Sequence, residues 1–355
     1  MHCLRIIAAA AALAAGASRL GHAQPPPPAP APATAPPRQL TIVARPGDWQ
    51  AALHHDLVHP FTLATAIPVT AQTWQGGLDA LRAGLKNWDL VQVSGDEMLA
   101  ACDDGLVEHV DWTAIGGRDH YQQAGTADCG VAAFVAAQVL AWDRDKFPAT
   151  PTWSDFFDIA KFPGKRGLPR SPRGTLEVAL LADGVAPGDI YRTLRSNDGV
   201  DRAFRKLDQL RPYIAWWQAP EDATKMLGSG EVLMTAAPNG RVAVANRTEH
   251  HNFGLQWSGA LLSVDWWVVP KGSVFLRAAQ QFLYFAGTPA IEAHVVATVP
   301  YPGLAKGVND FIPPDLQAVS PTTAQNSQAA VLVDDSFWRD NQDKLSTRFA
   351  SWLSH

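Results

Sequence analysis

Asp265 is the residue whose surroundings ask most plainly for chemistry. It sits in Ser263-Val-Asp-Trp-Trp-Val-Val-Pro270, an otherwise apolar, strand-like run. Burying a carboxylate alone is costly, so this acid calls for a cationic partner, either a salt-bridging side chain or a bound ammonium group. Two indoles follow it directly. Side chains alternate across a strand, so Trp266 and Trp267 point to opposite faces and only one can share a site with the acid. Carboxylates to balance charge and aromatic faces to cover methylenes are what an organic ammonium ion requires, each cation–aromatic contact contributing about 0.5–2 kcal/mol. The chain has 13 Trp against five Tyr, enough for such a lining, although core filling is the ordinary use of most of them.

Other chemistries are less well supplied. His54, His55 and His59 fall on one expected helix, with His55 and His59 four apart, and His250 and His251 form a second cluster. Two histidines at that spacing can share a zinc ion, but a stable site needs a third or fourth ligand that the sequence does not identify. An exposed polar helix face is the simpler reading. The chain lacks Gly-x-Ser-x-Gly, His-Glu-x-x-His and a Gly-rich phosphate loop, so nothing points to an enzyme or to a cofactor.

The elements that would position these residues alternate short strands with amphipathic helices, the pattern of α/β lobes. Strands are expected at 40–44, 67–70 and 89–93, and helices at 49–65 and 77–85. Ser94 or Asp96 is placed to cap the next helix. Residues 130–142 read as two extended segments with a bend. Beyond Asp143, helices are expected at 175–182, 200–210, 239 onward and 275–286, with strands at 214–217, 232–235 and 265–270. The tail from Phe337 to Leu353 has helical spacing and should pack back on the body.

The chain has 355 residues, 18% of them charged, and a formal net charge of −5 with no basic stripe, which argues against a nucleic-acid partner. Residues 1–23 combine a positive start, a 12-residue apolar run and small residues before a cut after Ala23, the pattern of a secretory signal peptide. Its removal takes away Arg5 and Arg19 and no acid, leaving a charge of −7. Residues 24–39 hold eight prolines and read as an extended Pro/Ala-rich linker. Export makes Cys102 and Cys129 an expected disulfide, with two buried free thiols as the alternative; a metal site is disfavoured, because neither has a Cys or His partner at ligand spacing.

Several segments together resemble the periplasmic spermidine/putrescine-binding proteins of polyamine ABC importers. They are Trp88-Asp-Leu-Val-Gln-Val-Ser-Gly-Asp96, Phe162-Pro-Gly-Lys-Arg-Gly-Leu168, Thr175 through Gly184, Gly230-Glu-Val-Leu-Met234, Asn239-Gly-Arg241 and Asp265 through Gly272. The resemblance implies a two-lobed, type II periplasmic binding-protein fold. It places a first lobe at 40–142, a second at 143–262, and a return to the first with a C-terminal helix over 263–355. A monomeric periplasmic receptor would capture a small cationic metabolite between the lobes and deliver it to an inner-membrane ABC permease. By the same resemblance Asp265 and Glu177 pair ammonium groups, Trp49 and Trp266 or Trp267 cover the stem, and Asp48, Ser94 and Asp96 add polar contacts. Trp74, Asn239 and Tyr301 are further candidates. For Glu177 the competing role is an ordinary acid in a first helical turn, and for Asp96 a helix cap. Gly174, Pro238 and Ser263 replace acidic or aromatic residues of that family, and Arg173 beside Gly174-Thr175 suits an anionic group at a helix start. A zwitterion or other small metabolite is the alternative ligand.

Overall fold

The computed structural model describes residues 38–354. The expected leader at 1–23 and nearly all of the linker at 24–39 lie outside the described residues.

Among the described residues nine strands join one mixed sheet. They are β1 (Leu40–Ala44), β2 (Val69–Thr73), β3 (Leu90–Ser94), β4 (Val131–Asp143), β5 (Arg166–Pro169), β6 (Ile214–Trp217), β7 (Met234–Pro238), β8 (Phe253–Val268) and β9 (Val331–Leu332). The spatial order is β2-β1-β3-β8-β4-β7-β5-β6, with β9 beside β8. β1 runs parallel to β2 and β3, and β5 parallel to β6 and β7, while the long β4 and β8 run antiparallel to each other through the middle. The β4–β8 register shifts between Ala132 and Phe134 and again between Gln138 and Leu140, so the expected bend in 130–142 is a pair of irregularities in one strand.

Helices cover both faces. The first are α1 (Asp48–Ala52), α2 (His59–Thr65), α3 (Leu78–Gly84) and α4 (Gly95–Asp103). Between α1 and α2, Leu53–Val58 winds as a π-helix, so the expected single helix at 49–65 changes pitch midway. Next come α5 (Trp153–Phe157), α6 (Thr175–Ala182), α7 (Ile190–Leu194), α8 (Asn197–Leu210), α9 (Pro220–Ser229) and α10 (Asn239–Thr248). After β8 follow α11 (Leu276–Ala286), α12 (Pro289–Thr298), the short α13 (Val308–Phe311), α14 (Pro314–Gln317) and α15 (Ala324–Ser327), and the long α16 (Asp335–Leu353).

Alternation along the strands divides the core. On β1, Leu40, Ile42 and Ala44 join one cluster with Phe61 and Phe282, while Val43 joins Trp74, Leu81 and Met98 on the other face. On β7, Met234 and Ala236 face Leu176, Phe204 and Leu207, and Ala237 faces the opposite side. Phe337, Trp338, Leu345 and Phe349 of α16 pack into this cluster of α6 and α8. The C-terminal helix thus packs back on the body. Its apolar side chains find their cover against the β5–β7 half, while Arg339 reaches Asp103 of α4.

Candidate ligand cleft

The carboxyl ends of β1, β3 and β5 deliver Arg45, Ser94, Ser171 and Arg173 to the wall of one cavity of about 980 Å³. Open α/β sheets take their ligands in such a position, where strand ends expose unpaired backbone groups and short loops. The floor comes from β8: Ser263 and Asp265, two residues apart, point to the same side and both line the cavity. Asp265 stands opposite Ser94 in the β3–β8 ladder and beside Phe134 in the β4–β8 ladder. Pairing of distant segments thus brings a serine and an acid within about 5 Å at Cβ.

Arg45 is fixed from several sides. Its backbone N–H donates to Gln92 Oε1 at 2.9 Å, Nη1 donates to the Gln75 carbonyl at 3.0 Å, and Nη2 pairs with Glu97 Oε2 at 2.5 Å. Glu97 is itself held by the N–H groups of Ser94 (2.9 Å) and Gly77 (2.7 Å). The guanidinium lies 5.5 Å from the Trp74 ring centroid, so indole and carboxylate together set its direction.

Arg173 forms the opposing cation. Nη1 pairs with Asp96 Oδ1 and Nη2 with Asp335 Oδ1 at 2.8 Å, the latter from the first turn of α16. The next residue, Gly174, has φ +83°, and a Cβ there would lie 2.5 Å from Gln138 Oε1. Gln138 Nε2 donates to the Gly174 carbonyl at 2.9 Å, which pins the arginine's backbone to β4. This close approach explains why no acid or tyrosine stands at position 174.

Burial pushes the Asp265 carboxyl up to about 7; Glu97 and Asp335 add to the rise, while Arg45 and Arg173 oppose it. Asp335 is pushed up to about 6, again by burial, against the pull of Arg173. For Arg173, burial works against the charge, but Asp96 and Asp335 outweigh it and hold the guanidinium above its ordinary value. The cavity therefore presents fixed cations facing acids, one of which titrates near neutrality.

Of the residues singled out in the sequence, Ser94, Asp96, Arg173, Ser263 and Asp265 line this cavity together. Asp48 heads α1 and lies 3.4 Å from Arg241, which also pairs with Glu249. Trp49 is buried against Phe134 (4.2 Å between centroids) and Trp267 (6.4 Å). Tyr301 stacks on Phe134 at 5.2 Å. Trp74 backs Arg45 while its Nε1 donates to the Gln92 carbonyl at 3.0 Å. Trp266 faces away from Asp265, as alternation requires, and fills the core with Met98 and Val93. Asn239 is fully buried: its Nδ2 donates to the Pro300 and Val319 carbonyls and its Oδ1 accepts from Ala137 N–H. Glu177 is fully buried too, accepting from Gly174 N–H, Tyr191 O–H and Trp338 Nε1–H. Neither Asn239 nor Glu177 has a polar atom free for the cavity. Arg45, Ser171 and Glu97 escaped the sequence reading; a charged residue directly after a strand was the available signal for Arg45. Cys102 and Cys129 form the expected disulfide.

Known proteins share the sequence pattern and fold of this chain. Residues 56–351 match the family described as bacterial extracellular solute-binding protein. The chain is 37% identical over 322 residues to a gamma-aminobutyric acid-binding protein of Pseudomonas aeruginosa, covering 89% of this chain and 91% of the relative. An ABC transporter substrate-binding protein from Bradyrhizobium japonicum superposes with a TM-score of 0.82 at 28% identity, over 89% of this chain and 99% of the other. A structure described as Atu4243–GABA receptor gives 0.80 at 28% identity, over 89% and 98%. These relatives are two-lobed binding proteins and not enzymes. The chain belongs to the bacterial extracellular solute-binding proteins, the components of ABC transporters that bind a small solute for the permease.

Proposed function

We propose that the cleft binds a small ω-amino acid of the 4-aminobutyrate class, and not the polyamine that the sequence resemblance implies. The observation carrying this reading is the near balance of charge in the cavity lining, four arginines against five acids. A diamine carries two positive charges and would be matched by a marked acid surplus. A zwitterion is matched by one cation and one acid facing each other across a few ångströms. In this reading the ligand carboxylate meets Arg173 and Arg45, and its ammonium group meets Asp265 with Ser94 at its side. The amine-binding role first expected of Asp265 is kept, while a guanidinium takes the other end. The two relatives whose names carry 4-aminobutyrate support the same class.

Residues 40–142 with 263–334, and residues 143–262 with the C-terminal helix packed on them, act in this reading as lobes that close on the ligand, turning at β4 and β8. Arg173–Asp96 and Arg241–Asp48 each join one lobe to the other. A ligand bridging the lobes binds the closed form alone and shifts the population toward it. The closed, monomeric, periplasmic receptor then presents its cargo to an inner-membrane permease. Thermal-shift and calorimetric titration with 4-aminobutyrate, 5-aminovalerate, putrescine and spermidine test the reading, because a ligand of the native state raises the melting temperature by mass action. The ω-amino acids are expected to stabilise the protein and the diamines not. Stabilisation by putrescine alone would overturn it.

A further inference from the structure

Away from the cleft, Cys102, Cys129 and His109 bring three soft or borderline ligand atoms within 4.8 Å of one another, one metal-competent cluster among the described residues. Cys102 ends α4, Cys129 precedes β4, and His109 lies on the loop between them. His109 Nδ1 is 3.7 Å from Cys129 Sγ. Two ligands on a tetrahedral zinc ion, at Zn–S of about 2.3 Å and Zn–N of about 2.0 Å, stand about 3.5 Å apart. The histidine is therefore already near the distance a shared metal would impose. The two cysteine Cα atoms are 5.7 Å apart, a separation compatible with a disulfide and with two thiolates on one ion. Beside Cys129 and His109 lies a small cavity of about 20 Å³, lined also by Glu108, Trp267 and Leu283. That is room for one ion or water. His109 is exposed, so an ion has a way in, and solvent supplies a fourth ligand.

We propose that Cys102, Cys129 and His109 form a redox-gated site for a borderline divalent ion such as zinc, closed while the disulfide stands and open once it is reduced. A dithiol reductant passes two electrons and two protons to the Cys102–Cys129 bond, which breaks, and the reductant leaves as its own disulfide. The ion then binds as the two thiols lose their protons, with neutral His109 as the third protein ligand. A small-molecule disulfide then takes two electrons from the two thiolates and two protons from solvent and leaves as its own thiols, while the Cys102–Cys129 bond forms again and the ion is released.

Cobalt(II) is the probe, because thiolate coordination gives it a near-ultraviolet sulfur-to-metal charge-transfer band. The whole protein is reduced with a phosphine, freed of reductant without air, and titrated. One equivalent of cobalt is expected to develop the band; the disulfide form should show none, and His109→Ala should bind at least tenfold more weakly. Near-ultraviolet circular dichroism follows the fold alongside. If reduction loosens the protein, one equivalent of cobalt should restore the native spectrum in the wild type, and His109→Ala should need at least ten times more. A reduced protein that develops no thiolate band, that cobalt does not restore, or that His109→Ala matches in either measurement would overturn the proposal.

Discussion

Arg173 ion-pairs with Asp96, although the two residues follow strands that β8, β4 and β7 separate in the sheet. The pair spans the cleft, and each partner carries the charge that one end of a zwitterion would seek. The site satisfies its own charges: the arginine holds Asp96 and Asp335, and the acids hold the arginine. A zwitterion bound as proposed would exchange one set of charge-assisted hydrogen bonds for another.

Arg173→Gln removes the cation while leaving an amide to hydrogen-bond with the two acids. Calorimetry should show affinity for 4-aminobutyrate falling at least tenfold, equivalent to about 1.4 kcal/mol. Binding of a monoamine without a carboxylate, such as butylamine, should change by less than threefold or improve. Equal losses for both ligands would mean that Arg173 acts on the architecture of the cleft and does not meet a carboxylate.

Asp265 gives the site a pH dependence with a definite sign. Its folded pKa of about 7 lies above the ordinary 3.8, so the native state holds an extra proton between about pH 4 and 7. From this carboxyl, stability is greatest below pH 4, declines as pH rises toward 7, and is level above. Asp335, pushed up to about 6, adds a slope of the same sign that ends sooner. An ammonium ligand favours the ionised acid, so affinity should rise with pH up to about 7, by at most tenfold per unit, and then level off. Asp265→Asn should weaken binding at least tenfold at pH 8 and flatten this profile. An affinity independent of pH between 5 and 8 in the wild type would remove Asp265 from contact with the amine.

The strands β5 and β9 are too short to show a period, but β1, β3 and β6 were legible in the sequence because Leu40, Leu90 and Ile214 open short hydrophobic runs. The start of β8 at Phe253 was not, since Gly254 and Gly259 interrupt the pattern and only the stretch after Ser263 reads as strand. The apolar spacing of 49–65 is shared by α- and π-helical winding, so the change of pitch at Leu53 left no trace. In the cleft, Asp265 and Ser94 could be named from their own segments. Arg45 could not, because its role depends on Glu97 and Trp74, which β-sheet pairing brings beside it. Glu177 misled for a physical reason. An acid in the first turn of a helix looks the same in sequence whether it faces a ligand or the partners that Tyr191 and Trp338 supply from distant elements.

Those partners make Glu177 a test of architecture. Burial raises its pKa, and its own backbone N–H, the hydrogen bonds from Tyr191 and Trp338 and the charge of Arg173 oppose that rise. Replacing it with alanine takes the acceptor from the Gly174 N–H and the Tyr191 O–H, while Trp338 Nε1 keeps Tyr191 Oη at 3.2 Å; each donor left fully unsatisfied costs about 1–3 kcal/mol. Relaxation should reduce the total, and a loss of about 3 kcal/mol is expected in denaturant unfolding. Glu177→Gln keeps one acceptor oxygen and should lose about half as much. Well below the transition, ligand affinity of both variants should stay within twofold of wild type, because the carboxylate does not reach the cavity. A tenfold loss of affinity in a folded Glu177→Gln would restore this acid to the binding site.

The disulfide makes a prediction independent of any ligand. Cys102 and Cys129 are 27 residues apart, and closing a loop of that length restricts the unfolded chain by about 3.5 kcal/mol in the loop-entropy description. The double variant Cys102→Ser, Cys129→Ser should therefore melt lower than the oxidised wild type, by about 5 °C for a body of this size. Affinity at 25 °C should persist. The cleft end of α4 is anchored without the disulfide, through Glu97 to Ser94, Gly77 and Arg45, while Cys102 lies two turns away at the far end of the helix. Loss of binding at an unchanged melting temperature would reverse that assignment, making the disulfide a support of the site and not of the fold.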